Sequence, residues 1–292
     1  MYIDVQIVNA FIDGATGGNP AGVVVDANAL TAAQKLKVAQ QVGQPETAFV
    51  SASDTATIKL EFFTPTRQIA HCGHATIATF SLLRQLGVVG EGQLSKETID
   101  GNRDILVDGD MVFMEQRAPE YTQVAVTSEL GGRVVASLGL KPSQLLNGVD
   151  PFVVNTGNAF LLIPLPDERT VAELRPDLRL VESISDELDL IGYYVFSTKT
   201  KVQGRDAGAR MFAPRFGIPE EAGTGMAAGP LACFLHDHLG VGRREILIEQ
   251  GWLMQPPSPS VIKVVLDLAD GKITRLMAGG TARAMSSLRV EI

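Results

Sequence analysis

Hydrophobic and polar positions alternate from the start of the chain. In MYIDVQIVNAF, Ile3, Val5 and Ile7 interleave with Asp4 and Gln6, the period of a strand with one wet face. The same period returns in TIKLEFF, where Ile58, Leu60 and Phe62 alternate with Thr57, Lys59 and Glu61. AAQKLKVAQQV reads instead as a helix, with Thr31 placed to cap its start and Gly43 to end it. Glu46 therefore falls in a short connection between a helix end and the strand TAFVSA. After Gly73, HATIATFSLLRQL is apolar almost all round, with Arg84 its one formal charge, which predicts a helix buried on every side. A similar segment runs from Gly225 to Leu239, where Pro230 predicts a kink or a delayed start.

These elements recur in one order. FFTPTRQIAHCGHATIATFSLLRQLGV, Phe62 to Val88, parallels MFAPRFGIPEEAGTGMAAGPLACFLHDHLGV, Met211 to Val241. The register places Phe63 on Phe212, Pro65 on Pro214 and Gly73 on Gly223. Upstream, TGGNPAGVVV faces NTGNAFLLIPL, and ETAFVS faces GYYVFS. The reading is an α+β chain of two similar domains, each a sheet wrapped around one central helix that begins at a glycine turn. The boundary is expected near EQRAPEYTQ, giving domains 1–118 and 119–277, with residues 278–292 returning to the first domain as a strand.

Composition narrows the class. The 292 residues are 45% hydrophobic and 20% charged, as in an ordinary globular protein. A net charge of −8 argues against nucleic acid or an anionic membrane as the main partner, while leaving room for a small anionic metabolite. Two cysteines, Cys72 and Cys233, supply neither a disulfide framework nor a structural zinc quartet. With no signal-peptide pattern and no apolar run of the roughly 18 to 20 residues a membrane span requires, a cytoplasmic location is expected.

The densest chemistry is HCGHATIAT, residues 71–79. A metal site at His71, Cys72 and His74 is disfavoured: neighbours on a tight turn rarely aim at one ion, and His236 and His238 lie at the far end of the second helix. The plain alternative is a surface His71 beside a buried Cys72. GTGMAAG lacks the spacing and the downstream acid of a dinucleotide fingerprint. The third reading is an anion site at the two helix N-termini, whose free amides and positive ends suit a carboxylate. Under a pseudo-twofold relation both starts would face one interdomain cleft, suited to removing a proton beside a carbonyl, with Glu46 as the natural carrier. A loop acid without a role is the plain alternative for Glu46, and glycines that merely allow close helix packing for the turns.

GNPAGVV, ETAFV, FFTP, CGHATIA and ARMFAP…GIPEEAGTG together resemble the phenazine-biosynthesis isomerase (PhzF-like) family, in order and over nearly the whole chain. The resemblance implies the diaminopimelate-epimerase-like fold of two pseudo-symmetric domains with mostly antiparallel curved sheets. It also implies an isomerase without cofactor or metal, a homodimer, and a small carboxylate-bearing substrate. It assigns the proton carrier to Glu46 and substrate polarisation to His74 and Glu221. The substrate-contacting set is Asn19, Gly73, Gly223, Thr224, Gly225 and Met226. Glu221 stands where the family usually carries aspartate, Ala222 where it has proline and Met226 where it has serine. Related racemases use two opposed cysteines. Cys72 resembles the first, but Ala222 stands where the second belongs, so Cys72 is expected to pack. The alternatives are a one-base epimerase or racemase on an amino-acid-like substrate, and a non-catalytic small-molecule binder.

Overall fold

The computed structural model describes residues 1–292. The chain divides into two compact units, Met1–Glu115 with Gly279–Ile292, and Gln116–Ala278. No helix is long and apolar enough to cross a membrane.

The first part of the chain runs β1 (Tyr2–Ala10), β2 (Asn19–Val24), α1 (Ala32–Val42), β3 (Thr47–Ser51), β4 (Ile58–Phe63), β5 (Gln68–Ile69), α2 (Gly73–Gln85), β6 (Gly92–Thr98), β7 (Gly101–Asp108) and β8 (Met111–Arg117). It continues with β9 (Glu120–Gln123), α3 (Glu129–Ser137), β10 (Phe152–Asn155), β11 (Ala159–Pro164), α4 (Glu168–Ala172), α5 (Leu178–Glu187), β12 (Gly192–Ser197), β13 (Ala207–Ala213), β14 (Ile218–Glu221), α6 (Gly225–Leu239), β15 (Glu245–Gln250), β16 (Ser260–Ala269), β17 (Lys272–Gly280) and β18 (Ala282–Glu291).

In the first unit β1 pairs antiparallel with β2 and with β18, whose Glu291 lies opposite Tyr2. β2 then runs parallel to β3 after the α1 crossover, β3 antiparallel to β4, and β4 parallel to β6 after α2. The second unit repeats the scheme. β10 and β11 are antiparallel, β11 and β12 parallel across α4 and α5, β12 and β13 antiparallel, and β13 and β15 parallel across α6. Each βαβ crossover is forced because parallel neighbours cannot be joined by a hairpin. The recurrence of connectivity is the internal repeat that the motif order implied.

Local rules account for the elements that carry the chemistry. Thr31 and Gln34 form a capping box at the start of α1, and Gly43 ends that helix in the left-handed region at φ 65°. Gly18, at φ 85°, makes the turn into β2; a side chain there would meet the Ala10 carbonyl oxygen at 2.7 Å. Residues Gly73 to Leu83 of α2 are buried without interruption, and α2 packs against β1, β2, β3 and β18. Its threonines tolerate this because Thr76 and Thr79 donate to the carbonyls of Cys72 and Ala75, each at 2.7 Å. Burying a side chain such as Phe80 contributes about 1.5–3 kcal/mol.

α6 is the counterpart, packed against β10, β11, β15 and β16, with Phe234 against Phe152 and Phe196. It continues through Pro230 as one helix, so that proline neither delays its start nor splits it. The sequence register that set Gly73 on Gly223 shifts here. The helices begin at Gly73 and Gly225, so by helix start Gly73 corresponds to Gly225, and two extra residues precede α6.

Candidate active site

Glu46 stands at the entry to β3, where its carbonyl accepts from the Gly22 amide at 2.9 Å. The parallel pairing of β2 with β3 thus fixes the backbone that carries this acid. α2 begins opposite it, with Cys72 as the extended cap residue and Gly73 and His74 as its first two positions. The result is a row of three buried side chains. Glu46 Oε2 lies 3.2 Å from His74 Nε2, and His74 Nδ1 lies 3.6 Å from Cys72 Sγ. The three residues are 7%, 4% and 5% exposed.

The row has a chemical direction. Burial pushes the Cys72 thiol above its ordinary value, against the smaller opposing pull of His74, so near neutrality it carries its proton. A neutral imidazole donates through one nitrogen and accepts through the other. With S–H directed at Nδ1, the remaining proton sits on Nε2, whose approach to Glu46 Oε2 at 3.2 Å is an ion-pair contact rather than an aligned hydrogen bond; this tautomer is assigned from the partners. Cys72, expected to pack, is buried and adjoins the imidazole.

Donor atoms of Glu46, Cys72 and His74 fall within 4.8 Å of one another, so these are the residues that could hold a metal ion. The ring turns Nδ1 to the thiol and Nε2 to the carboxylate, while the thiol and the carboxylate themselves stay close together in one compact cluster.

His71 is half-buried rather than on the surface, because its Nδ1 is drawn inward to the Lys96 ammonium at 3.1 Å and its ring packs edge-on against Phe62. His236 and His238 lie in the last turn of α6, where His238 is packed among Tyr121, Phe152 and Phe234.

In the second unit, Glu221 ends β14 and accepts a short hydrogen bond from the Thr224 hydroxyl. Its neighbour Glu220 is held by Arg210 in a two-pronged pair, at 2.8 Å from both Nε and Nη2. That leaves Glu221 as the acid facing the turn. Gln250, 1% exposed, holds the turn itself. Its Oε1 accepts from Tyr194 Oη at 2.8 Å and from the Thr224 amide at 3.0 Å. Its Nε2 donates to the Glu221 carbonyl at 2.7 Å and to Thr224 Oγ1 at 3.1 Å. Burial pushes the Tyr194 hydroxyl well up, so it remains a donor. Neither Cys72 nor Thr224 caps its own helix with a side chain.

Asn19 is buried at the first position of β2, and Gly223, Thr224 and Gly225 are buried at the turn into α6. Met226 is partly exposed on the first turn of α6, with its sulfur 3.5 Å from Asn158 Nδ2. Of the residues expected from sequence, Glu46, Gly73 and His74 come together in the first unit, and Glu221, Gly223, Thr224, Gly225 and Met226 in the second. Tyr194, Gln250 and Lys96 were missed.

A carboxylate beside an imidazole at the start of a buried helix, within a fold built twice, fits an enzyme of the isomerase class. The comparisons agree with that class. The model of the phenazine biosynthesis-like proteins, PhzC-PhzF, matches residues 8–287. An uncharacterized isomerase of Deinococcus radiodurans is 32% identical over 285 residues, covering 94% of this chain and 90% of that one. The trans-2,3-dihydro-3-hydroxyanthranilate isomerase of Pseudomonas chlororaphis is 28% identical over 263 residues, covering 86% and 87%. The crystal structure of a PhzF-family phenazine biosynthesis protein of Bacillus anthracis superposes with a TM-score of 0.88 at 26% identity, covering 100% of both chains. The chain belongs to the phenazine biosynthesis-like (PhzC-PhzF) family of isomerases.

Proposed function

We propose that the protein is a cofactor-independent isomerase that moves a proton, and a double bond with it, in a small carboxylate-bearing metabolite. The observation that carries this reading is the buried Glu46–His74 contact at the start of α2. Glu46 takes a proton from a carbon next to a carbonyl or carboxylate, and the C–H electron pair moves into the conjugated system. The carboxylic acid so formed returns the proton at another carbon, so nothing is gained or lost overall. His74, in ion-pair contact with the carboxylate, positions it, and amides at the helix start receive the developing negative charge. Within the first unit, Asn19 and Gly73 make further contacts to the substrate. A base and a set of hydrogen-bond donors suffice for these steps, so no cofactor is called for.

The first substrate to try is trans-2,3-dihydro-3-hydroxyanthranilate, the compound for which the Pseudomonas chlororaphis relative is named. The test incubates it, together with a panel of small unsaturated and amino carboxylates, in deuterated water. A gain of one mass unit at carbon with a shifted double bond supports the reading. A panel that emerges unlabelled in every member contradicts it. A second reading has one observation in its favour, the Cys72 thiol 3.6 Å from His74 Nδ1. An epimerase in which Glu46 removes the proton and that thiol returns one to the same carbon would label its substrate with inversion and no double-bond shift.

A further inference from the structure

Lys96 is a charged side chain that the proposed reaction does not use, although it is 0% exposed. It lies on β6, paired with Ile58 of β4 and Arg103 of β7. Its Nζ donates to Thr76 Oγ1 at 2.5 Å and to His71 Nδ1 at 3.1 Å, 3.9 Å from Met114 Sδ and 5.0 Å from the centre of the Phe62 ring. None of these neighbours is a carboxylate. An ammonium buried without a counter-ion is costly, and an apolar side chain would fill the space at less expense to stability.

What the lysine holds is the approach to the active site. Thr76, which accepts from it, donates onward to the Cys72 carbonyl, and the Thr76 amide reaches the same oxygen at 3.3 Å. His71, the other acceptor, is the residue before Cys72. One cation therefore grips both sides of the peptide that leads into Gly73 and His74. We propose that Lys96 is a positioning residue for the α2 start: acting through Thr76 and His71, its ammonium fixes the Cys72–Gly73–His74 turn. Its importance for turnover rests on the proton-transfer reading of Glu46 and His74; the linkage to the turn does not.

The charge state of the cluster provides the readout. Burial lowers Lys96 to about 7, helped by Arg103 and opposed by Cys72. Burial holds His71 well below its ordinary range, with Lys96 and Arg103 adding to the effect, and raises the Cys72 thiol. Phe62 and Met114 face the ammonium without charge. Among Lys96, His71 and Cys72, then, Lys96 is the group that changes state near neutrality.

The test follows the backbone amides of Gly73 and His74 and the ring nitrogens of His71 by 15N NMR between pH 5 and 9, in the wild type, Lys96→Met and Thr76→Val. The wild type should show the amides and the His71 ring shifting together with a midpoint near neutrality, and His71 accepting at Nδ1. Lys96→Met should abolish that shared transition and let His71 titrate at higher pH. Thr76→Val retains the lysine and removes only the hydroxyl bridge, so the amide response should shrink while the His71 response persists. Sulfate, used as an anion probe, should bind the Gly73 amide about tenfold more weakly in Lys96→Met. Gly73 and His74 shifts that coincide in wild type and Lys96→Met at every pH, with equal sulfate binding, overturn the proposal. The Glu46→Gln variant separates the two readings: it should keep the Lys96 transition whether or not the protein proves to exchange protons.

Discussion

Replacing Gln250 with leucine should loosen the turn that carries Glu221 and Thr224, and the size of the effect follows from the bonds removed. The amide makes four hydrogen bonds, to Tyr194 Oη, the Thr224 amide, the Glu221 carbonyl and Thr224 Oγ1, at 2.7 to 3.1 Å. Leucine is of similar volume but satisfies none of them. The Tyr194 ring is fully buried and its hydroxyl has no route to solvent without local opening. A buried polar group left without a partner costs about 1–3 kcal/mol. Thr224 Oγ1 keeps its bond to Glu221, which limits the damage to three groups and a total of about 4 kcal/mol. For a unit of this size that corresponds to a fall in Tm of about 8–16 °C. Gln250→Glu keeps both acceptor bonds but turns an oxygen towards the Glu221 carbonyl, so it should fall between wild type and leucine. Thermal and urea unfolding of the three proteins, followed by tryptophan fluorescence and circular dichroism, would measure this. A leucine variant within about 1 kcal/mol of wild type would falsify the view that Gln250 clamps the turn.

Two further outcomes are expected. Cys72→Ser, which keeps a donor for His74 Nδ1, should retain nearly full proton-exchange activity, and Cys72→Ala should lose less than about tenfold; a loss in either as large as that of Glu46→Gln would favour the epimerase reading. The stability of the wild type relative to Lys96→Met should rise with pH. The folded-state pKa of Lys96 is lowered from 10.5 to about 7, so between these values the unfolded chain binds more protons than the native one. At about 1.4 kcal/mol per pH unit the relative gain approaches 5 kcal/mol by pH 10.5, and none of it is present below pH 7. Urea midpoints of the two proteins across that range measure it, and a constant difference contradicts the buried-cation account.

The sequence exposes the parts of this fold that local physics determines alone. Ile58, Leu60 and Phe62 alternate because one face of β4 is covered, and all three are buried. Thr31 and Gly43 bound α1 because a helix end needs a capping oxygen at one side and a left-handed residue at the other. The apolar run after Gly73 is a helix surrounded by sheet. Glu46 and the Gly73 turn could be grouped through the repeat and the chemistry of proton removal, but His74 joined them only through motif resemblance, since nothing local says that a residue before β3 meets the start of α2.

Lys96 and Gln250 were passed over because a polar residue in a strand reads as solvent-facing. Phase is the signal that marks them. Gln250 falls in step with the buried Ile246 and Ile248, and Lys96 with Leu94 and the buried Thr98. A polar side chain in step with a buried face must find partners inside, which makes it a candidate for holding a site together. The helix from Gly225 to Leu239 was legible as an apolar segment, but the motif register set Gly73 on Gly223, because aligning glycines does not reveal which one starts the helix.

The most direct test of the central claim is proton exchange in deuterated water by wild type and Glu46→Gln, on whichever compound of the panel the wild type labels. Glutamine preserves the shape beside His74 but cannot carry a proton between two carbons. General acid–base groups contribute about 10²- to 10⁴-fold, so deuterium incorporation by Glu46→Gln should fall by at least 10²-fold, with unchanged Tm and retained binding of the same compound. Incorporation by Glu46→Gln at the wild-type rate would show that another group moves the proton, and would contradict the account.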